Sequence, residues 1–140
     1  MRLVAPAVQQ HLPDGLTLAR GRVWSFGAQL YDDNPPFHYE IVRVPKRMGD
    51  RLELGLHFES RSRQHNVTML SGFSPRLLEI KGELGGGFEA ELWDRGWTKV
   101  YETVPLEAYE TAYLDMVAQR MGAIIRVLHP IYRSMRQRAR

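Results

Sequence analysis

Two stretches near the middle of the chain alternate apolar and polar residues one by one. In Phe37-His38-Tyr39-Glu40-Ile41-Val42-Arg43-Val44, the residues Phe37, Tyr39 and Ile41 form one set and His38 and Glu40 the other. In Leu52-Glu53-Leu54-Gly55-Leu56-His57-Phe58-Glu59, the apolar set is Leu52, Leu54, Leu56 and Phe58, and the polar set is Glu53, His57 and Glu59. A period of two is that of a strand with one buried face. Pro45-Lys46-Arg47-Met48-Gly49-Asp50 joins the stretches, and its glycine supplies a positive φ. The pattern therefore predicts a hairpin of strands 37–44 and 51–59. Any register that matches the apolar sets puts His38, Glu40, His57 and Glu59 together on the opposite face. With Val44 opposite Arg51, His38 opposes His57, and Glu40 sits one step diagonal to both His57 and Glu53.

After this hairpin the period changes. Val67, Leu70, Phe73, Leu77, Ile80 and Leu84 lie three or four apart, a helical stripe over 62–84. Ser74-Pro75 interrupts it with an N-cap residue and a first-turn proline, so a kink or two abutting helices is predicted. A second hairpin follows, with strands 88–94 and 97–104 around Asp94-Arg95-Gly96-Trp97. A long helix from about 107 to 128 carries Tyr113, Val117, Met121, Ile124, Leu128 and Ile131 as its core stripe. At the N-terminal end Val23, Trp24, Phe26, Ala28 and Leu30 predict a helical segment within 1–35, against which Gly21 and Gly27 count. Asp32-Asp33-Asn34-Pro35-Pro36 stops it. The expected fold is α+β: an antiparallel four-stranded sheet made of two β-hairpins, with helices packed on one face, in the order α-ββ-α-ββ-α. It forms one domain over 1–140 with a basic tail at 133–140.

Composition adds exclusions. The 140 residues contain no cysteine, which removes a disulfide framework, thiol catalysis and a Cys-ligated zinc site. No apolar run approaches a membrane span, and the expectation is a soluble, cytoplasmic protein without a membrane partner. The net charge of +3 is concentrated at one end. Arg133, Arg136, Arg138 and Arg140 fall in the last eight residues; without them 15 basic residues face 16 acidic ones. That tail is the candidate nucleic-acid contact, the alternative being a solvated helix end whose cations suit the C-terminal dipole. Little apolar follows Tyr132, so removing 133–140 is expected to leave stability nearly unchanged.

Few constellations carry chemistry. His38, Glu40, His57 and Glu59 offer imidazoles and carboxylates that suit Zn, Mn, Fe or Ni. The alternatives are acid–base or ligand-recognition work, or a solvent-facing polar sheet surface with no function. Trp24, Tyr39, Trp93, Trp97 and Tyr101 are an aromatic set that either stacks on bases or fills the core. Gly85-Gly86-Gly87 follows a helix and precedes a strand, the reverse of a phosphate-cradling loop. No serine sits in a G-x-S-x-G elbow. No cofactor is predicted; the candidate ion is a divalent metal.

Several phrases resemble an uncharacterised bacterial domain-of-unknown-function family often found C-terminal to restriction-endonuclease-like proteins. They are Leu54-Gly55-Leu56-His57-Phe58, Leu78-Glu79-Ile80-Lys81-Gly82-Glu83-Leu84-Gly85, the hairpin from Trp93 to Glu102, and a final helix with His129-Pro130-Ile131, so the resemblance covers roughly 50–132. It implies no catalytic residues. A metal-nuclease core needs an acid-x-Lys on a strand. Glu53-Leu54-Gly55 and Glu91-Leu92-Trp93 lack the lysine, and Glu79-Ile80-Lys81 lies on a predicted helix. The element order also resembles the type III secretion chaperone-like fold, which implies dimerisation and binding of extended polypeptide. The functional expectation is a non-catalytic protein-binding or regulatory module, dimeric, whose partner is a protein or a second copy. The alternatives are a nucleic-acid-associated accessory domain of a defence or repair system, and a metal-dependent enzyme using the His/Glu sheet face.

Overall fold

The computed structural model describes residues 1–138. Its centre is a six-stranded, wholly antiparallel sheet. The strands are β1 (Ala19–Trp24), β2 (Gly27–Tyr31), β3 (Phe37–Arg43), β4 (Arg51–Phe58), β5 (Glu89–Leu92) and β6 (Thr98–Pro105). Their order in space is β1-β2-β3-β4-β6-β5. The helices are α1 (Val4–Gln9), α2 (Arg63–Phe73), α3 (Leu77–Leu84) and α4 (Thr111–Arg138), and a 3₁₀ turn at Ser74–Arg76 separates α2 from α3. The α+β class and the antiparallel pairing agree with the sequence pattern. The strand count and the element order do not.

The two additional strands come from the segment read as an N-terminal helix. Residues 19–31 form a hairpin turned at Ser25-Phe26. Ala28 and Leu30 are buried while Gln29 and Tyr31 face the other way, a period of two that the earlier apolar residues obscured. A shift in register between Arg20 and Val23 breaks the alternation of β1, which is the signature of a bulge. Gly27 is required here for contact: a Cβ on it would lie 2.5 Å from the Trp24 ring.

One face of the sheet and the inward sides of the helices make a single core. β3 and β4 supply Phe37, Tyr39, Ile41, Leu52, Leu54, Leu56 and Phe58. Facing them, α4 buries every residue of its predicted stripe, together with Ala118 and Ile125. In α2 the inward residues are Asn66, Met69 and Phe73, and Val67 is exposed, because the break at Ser74-Pro75 lets α2 and α3 choose their phases separately. Asn66 is buried with its amide satisfied: it accepts from Ser60 N and donates to Ser60 O and Gly96 O. A charged pair also reaches this side, where Arg120 of α4 holds Glu102 of β6 at 2.5 and 2.9 Å.

Residues 133–138 are part of the fold. The last helix runs to Arg138, and Met135 packs so closely on Gly72 that a Cβ there would sit 2.2 Å from its sulfur. Arg136 donates to Asp33 at 2.9 Å and its guanidinium lies over the Phe37 ring. The expectation that 133–140 is dispensable is therefore corrected: truncation removes packing as well as charge. Among the described residues, no helix is long and apolar enough to cross a membrane.

Candidate functional site

The face of the sheet turned away from the helices holds the four sequence candidates. β3 and β4 pair in the expected register: His38 opposes His57, Glu40 opposes Gly55, and Val44 N donates to Arg51 O. Glu59 follows the end of β4, where its N–H donates to Pro36 O. One donor atom from each of His38, Glu40, His57 and Glu59 lies within 4.8 Å of the donor atoms of the other three. The expectation of a solvated polar surface is not met. Relative exposure is 4% for His38, 7% for Glu40 and 1% for His57, as low as in the core.

The two imidazoles are held in opposite senses. His38 Nδ1 lies 2.9 Å from the carbonyl of Pro35, which can only accept, so Nδ1 carries a proton and donates it there. That Nε2 is buried and without a hydrogen-bond partner. It points at the two carboxylates, 3.5 Å from Glu40 Oε1 and 3.7 Å from Glu59 Oε2, both too long for a good hydrogen bond. His57 instead turns Nε2 away, donating to Glu53 Oε2 at 2.8 Å. Its Nδ1 faces the same two carboxylates, at 3.0 Å from Glu59 Oε1 and 3.4 Å from Glu40 Oε2. The rings stack with centroids 5.8 Å apart.

Four further residues, outside the sequence candidate set, fix this arrangement. Glu53 lies four residues before His57 on the same face, too far along a strand for contact if a side chain stood between them. Gly55 stands there, and the two side chains meet above it. A Cβ at Gly55 would come within 2.4 Å of the Val100 carbonyl, so the glycine also permits the close approach of β6. Lys99 of β6 donates to Glu53 Oε1 at 2.6 Å, its ammonium lying over the rings of Trp93 and Tyr101. Gln29 of β2 donates to Glu40 Oε1 at 2.8 Å. Parity alone put Glu53 on this face, but its bond to His57 needs the gap that Gly55 leaves.

Electrostatics follow from the geometry. Burial on its own would lower the His57 imidazole; hydrogen bonds to Glu53 and Glu59 and the charge of Glu40 outweigh it and raise the group to about 9. Burial would raise the Glu40 carboxyl, but His38, His57 and Gln29 bring it down to about 2. Glu53 is likewise held below the ordinary carboxyl range, burial being overcome by His57 and Lys99. Without an ion, the cluster is an imidazolium wedged among three carboxylates.

The remaining candidates separate from this site. Arg133 lies 3.6 Å from Asp32 and Arg136 pairs with Asp33, so both are engaged within the fold. Arg138 is exposed, and Arg140 lies outside the described residues. Of the aromatic set, Tyr39 is in the core, where it donates to His129 Nδ1 at 3.0 Å, and His129 Nε2–H donates to Asp32. Trp24, Trp93, Trp97 and Tyr101 each carry a cation of the same chain over the ring, which occupies a surface a base would stack on. Comparison with protein-family models, curated proteins and solved structures found no match.

Proposed function

We propose that this protein is a binding module for one divalent transition-metal ion, held by His38 Nε2, His57 Nδ1, Glu40 and Glu59. The observation that carries the reading is the buried Nε2 of His38, which has no hydrogen-bond partner and faces, with His57 Nδ1, the same two carboxylates. A buried polar atom left unpaired costs about 1–3 kcal/mol, and a cation between the four groups removes that cost. Both imidazoles have the other nitrogen tied to an acceptor, Pro35 O for one and Glu53 for the other, as metal-ligating histidines do. Lys99 in turn steadies Glu53. Two imidazoles and two carboxylates favour Zn, Mn, Fe or Ni, and with two nitrogen donors they disfavour Mg and Ca.

Equilibrium dialysis with elemental analysis tests the reading. Protein stripped by a chelator is expected to take up one zinc per chain and to prefer zinc to magnesium. Glu59→Gln is the informative variant, because Glu59 is the least buried of the four and glutamine can still accept from His57. It is expected to keep the metal-free melting temperature within a few degrees and to lose about tenfold or more in zinc affinity. Equal zinc affinity in the folded variant and the parent would refute the assignment.

A further inference from the structure

We infer that copies of this chain associate edge to edge, the open side of β5 in one copy pairing with the open side of β1 in the next. The inference is independent of the metal reading. β1 and β5 are the outer strands of the six-stranded sheet. Every neighbouring pair is antiparallel and the strand number is even, so β5 runs opposite to β1. A second copy set beside the first, with its helices on the same face, therefore brings β1 antiparallel to β5 and continues the ladder.

The backbone groups are in phase for this pairing. Arg43 N donates to Phe26 O, so by the alternation of an antiparallel ladder Gly27 turns its own groups to β1. Val23, one residue before the partner of Gly27, then turns its N–H and C=O to the open side. Trp93 N donates to Trp97 O, and the same alternation turns Ala90 outward from β5. A register that opposes Val23 to Ala90 lets them exchange backbone hydrogen bonds, and it sets Arg22 against Glu91. Both faces match in that register. Val23 and Ala90 lie on the helix side, opposite the buried Ala28 and Val100. Glu91 shares the other face with His57 through Lys99. Arg22 holds its guanidinium over the Trp24 ring, and Trp24 reaches that same face through Gly27 and Val42.

Charge selects the partner. β1 carries Arg20 and Arg22 and no acid; β5 carries Glu89 and Glu91 and no base. Glu89 has Lys81 at 3.8 Å. Arg22 rests on an aromatic ring and Glu91 accepts from the Tyr101 hydroxyl, contacts that cancel neither charge. Like charges oppose pairing of β1 with β1 or of β5 with β5, a device that commonly protects sheet edges. Between the unlike edges the same charges attract. The contact is therefore head to tail, and assembly continues past two copies. β5 is short, so each contact is weak and association needs concentrated protein.

Sedimentation velocity on the metal-free full chain tests the inference, at micromolar to millimolar protein in low and high salt. The mean mass is expected to rise with concentration past that of two copies and to fall back when salt is added. Arg22→Glu and Glu91→Arg are each expected to weaken association about tenfold. An equimolar mixture of the two is expected to restore it, because every contact in an alternating assembly again pairs unlike charges. Ala90→Pro tests the ladder itself. It removes an outward N–H from an edge strand, where proline is tolerated. It is expected to keep the fold, read by circular dichroism, and to abolish association. A chain that stays monomeric at millimolar concentration in low salt overturns the inference. So does a mixture that associates no better than either variant alone, a species that stops at two copies, or undiminished association in the folded Ala90→Pro chain.

Discussion

Replacing His57 by alanine is expected to cost the metal-free protein about 3–5 kcal/mol, the range for removing one partner from a buried ion pair. The ring is 1% exposed and lies among Glu40, Glu53 and Glu59. Its loss leaves three carboxylates in one buried region with Lys99, Gln29 and the His38 ring as their remaining polar neighbours. Against a domain stability of about 5–15 kcal/mol, such a loss is large and in the weaker cases unfolds the chain. Urea denaturation of parent and variant at neutral pH measures it. A cost of about 0.5 kcal/mol or less, the value for a surface position, would mean that this face is solvated and the ion pairs are loose. The variant is also expected to lose zinc uptake. Because it is destabilised, that loss alone does not identify a ligand, and Glu59→Gln carries that burden.

The second large effect is on pH. His57 is raised from 6.5 to about 9 in the folded state, so its stabilising contribution is complete below pH 6.5 and is lost as pH rises to 9. At about 1.4 kcal/mol per pH unit the loss is on the order of 3 kcal/mol. Glu40 is lowered from 4.5 to about 2, so its contribution is complete above pH 4.5 and is lost as pH falls to 2. The metal-free protein should therefore be most stable, as far as this cluster decides, between pH 4.5 and 6.5. Zinc reverses the alkaline limb. Binding requires His57 Nδ1 without its proton, so the ion competes with that proton and gains affinity as pH rises toward 9. Melting temperatures with and without zinc should diverge steadily from pH 6.5 to 9. Metal-free melting temperatures that are equal at the two ends would remove the coupling between His57 and its carboxylates.

The legible part of this fold was what a period of two dictates. Leu52, Leu54, Leu56 and Phe58 must share the face of Phe37, Tyr39 and Ile41, and a slip by one residue would bury Glu53 and expose Leu54. That constraint alone put His38 against His57. The hairpin of β1 and β2 was not legible, because its strands are short, its register shifts at Arg20, and Gly27 is there to pack under Trp24 rather than to break a helix. Burial of the polar face was hidden for another reason. It depends on groups distant in sequence: Gln29 from β2, Lys99 from β6, and the Trp93 ring edge-on to His57. Alternation says which way a side chain points but not what lies above it. The engagement of Arg133 and Arg136 within the fold was not legible either, because their partners, Asp32 and Asp33, are about a hundred residues away.

The most direct test of the metal centre is the nitrogen chemistry of the two histidines, read by long-range ¹H–¹⁵N NMR of the imidazole rings as zinc is added. Zinc is expected to bind Nε2 of His38, with the proton kept on Nδ1, and Nδ1 of His57, with the proton kept on Nε2. These opposite tautomers are dictated by Pro35 O and Glu53. Ring signals of His38 and His57 that stay unchanged under zinc, while those of His11, His65 or His129 move, would contradict the assignment of an ion to this face.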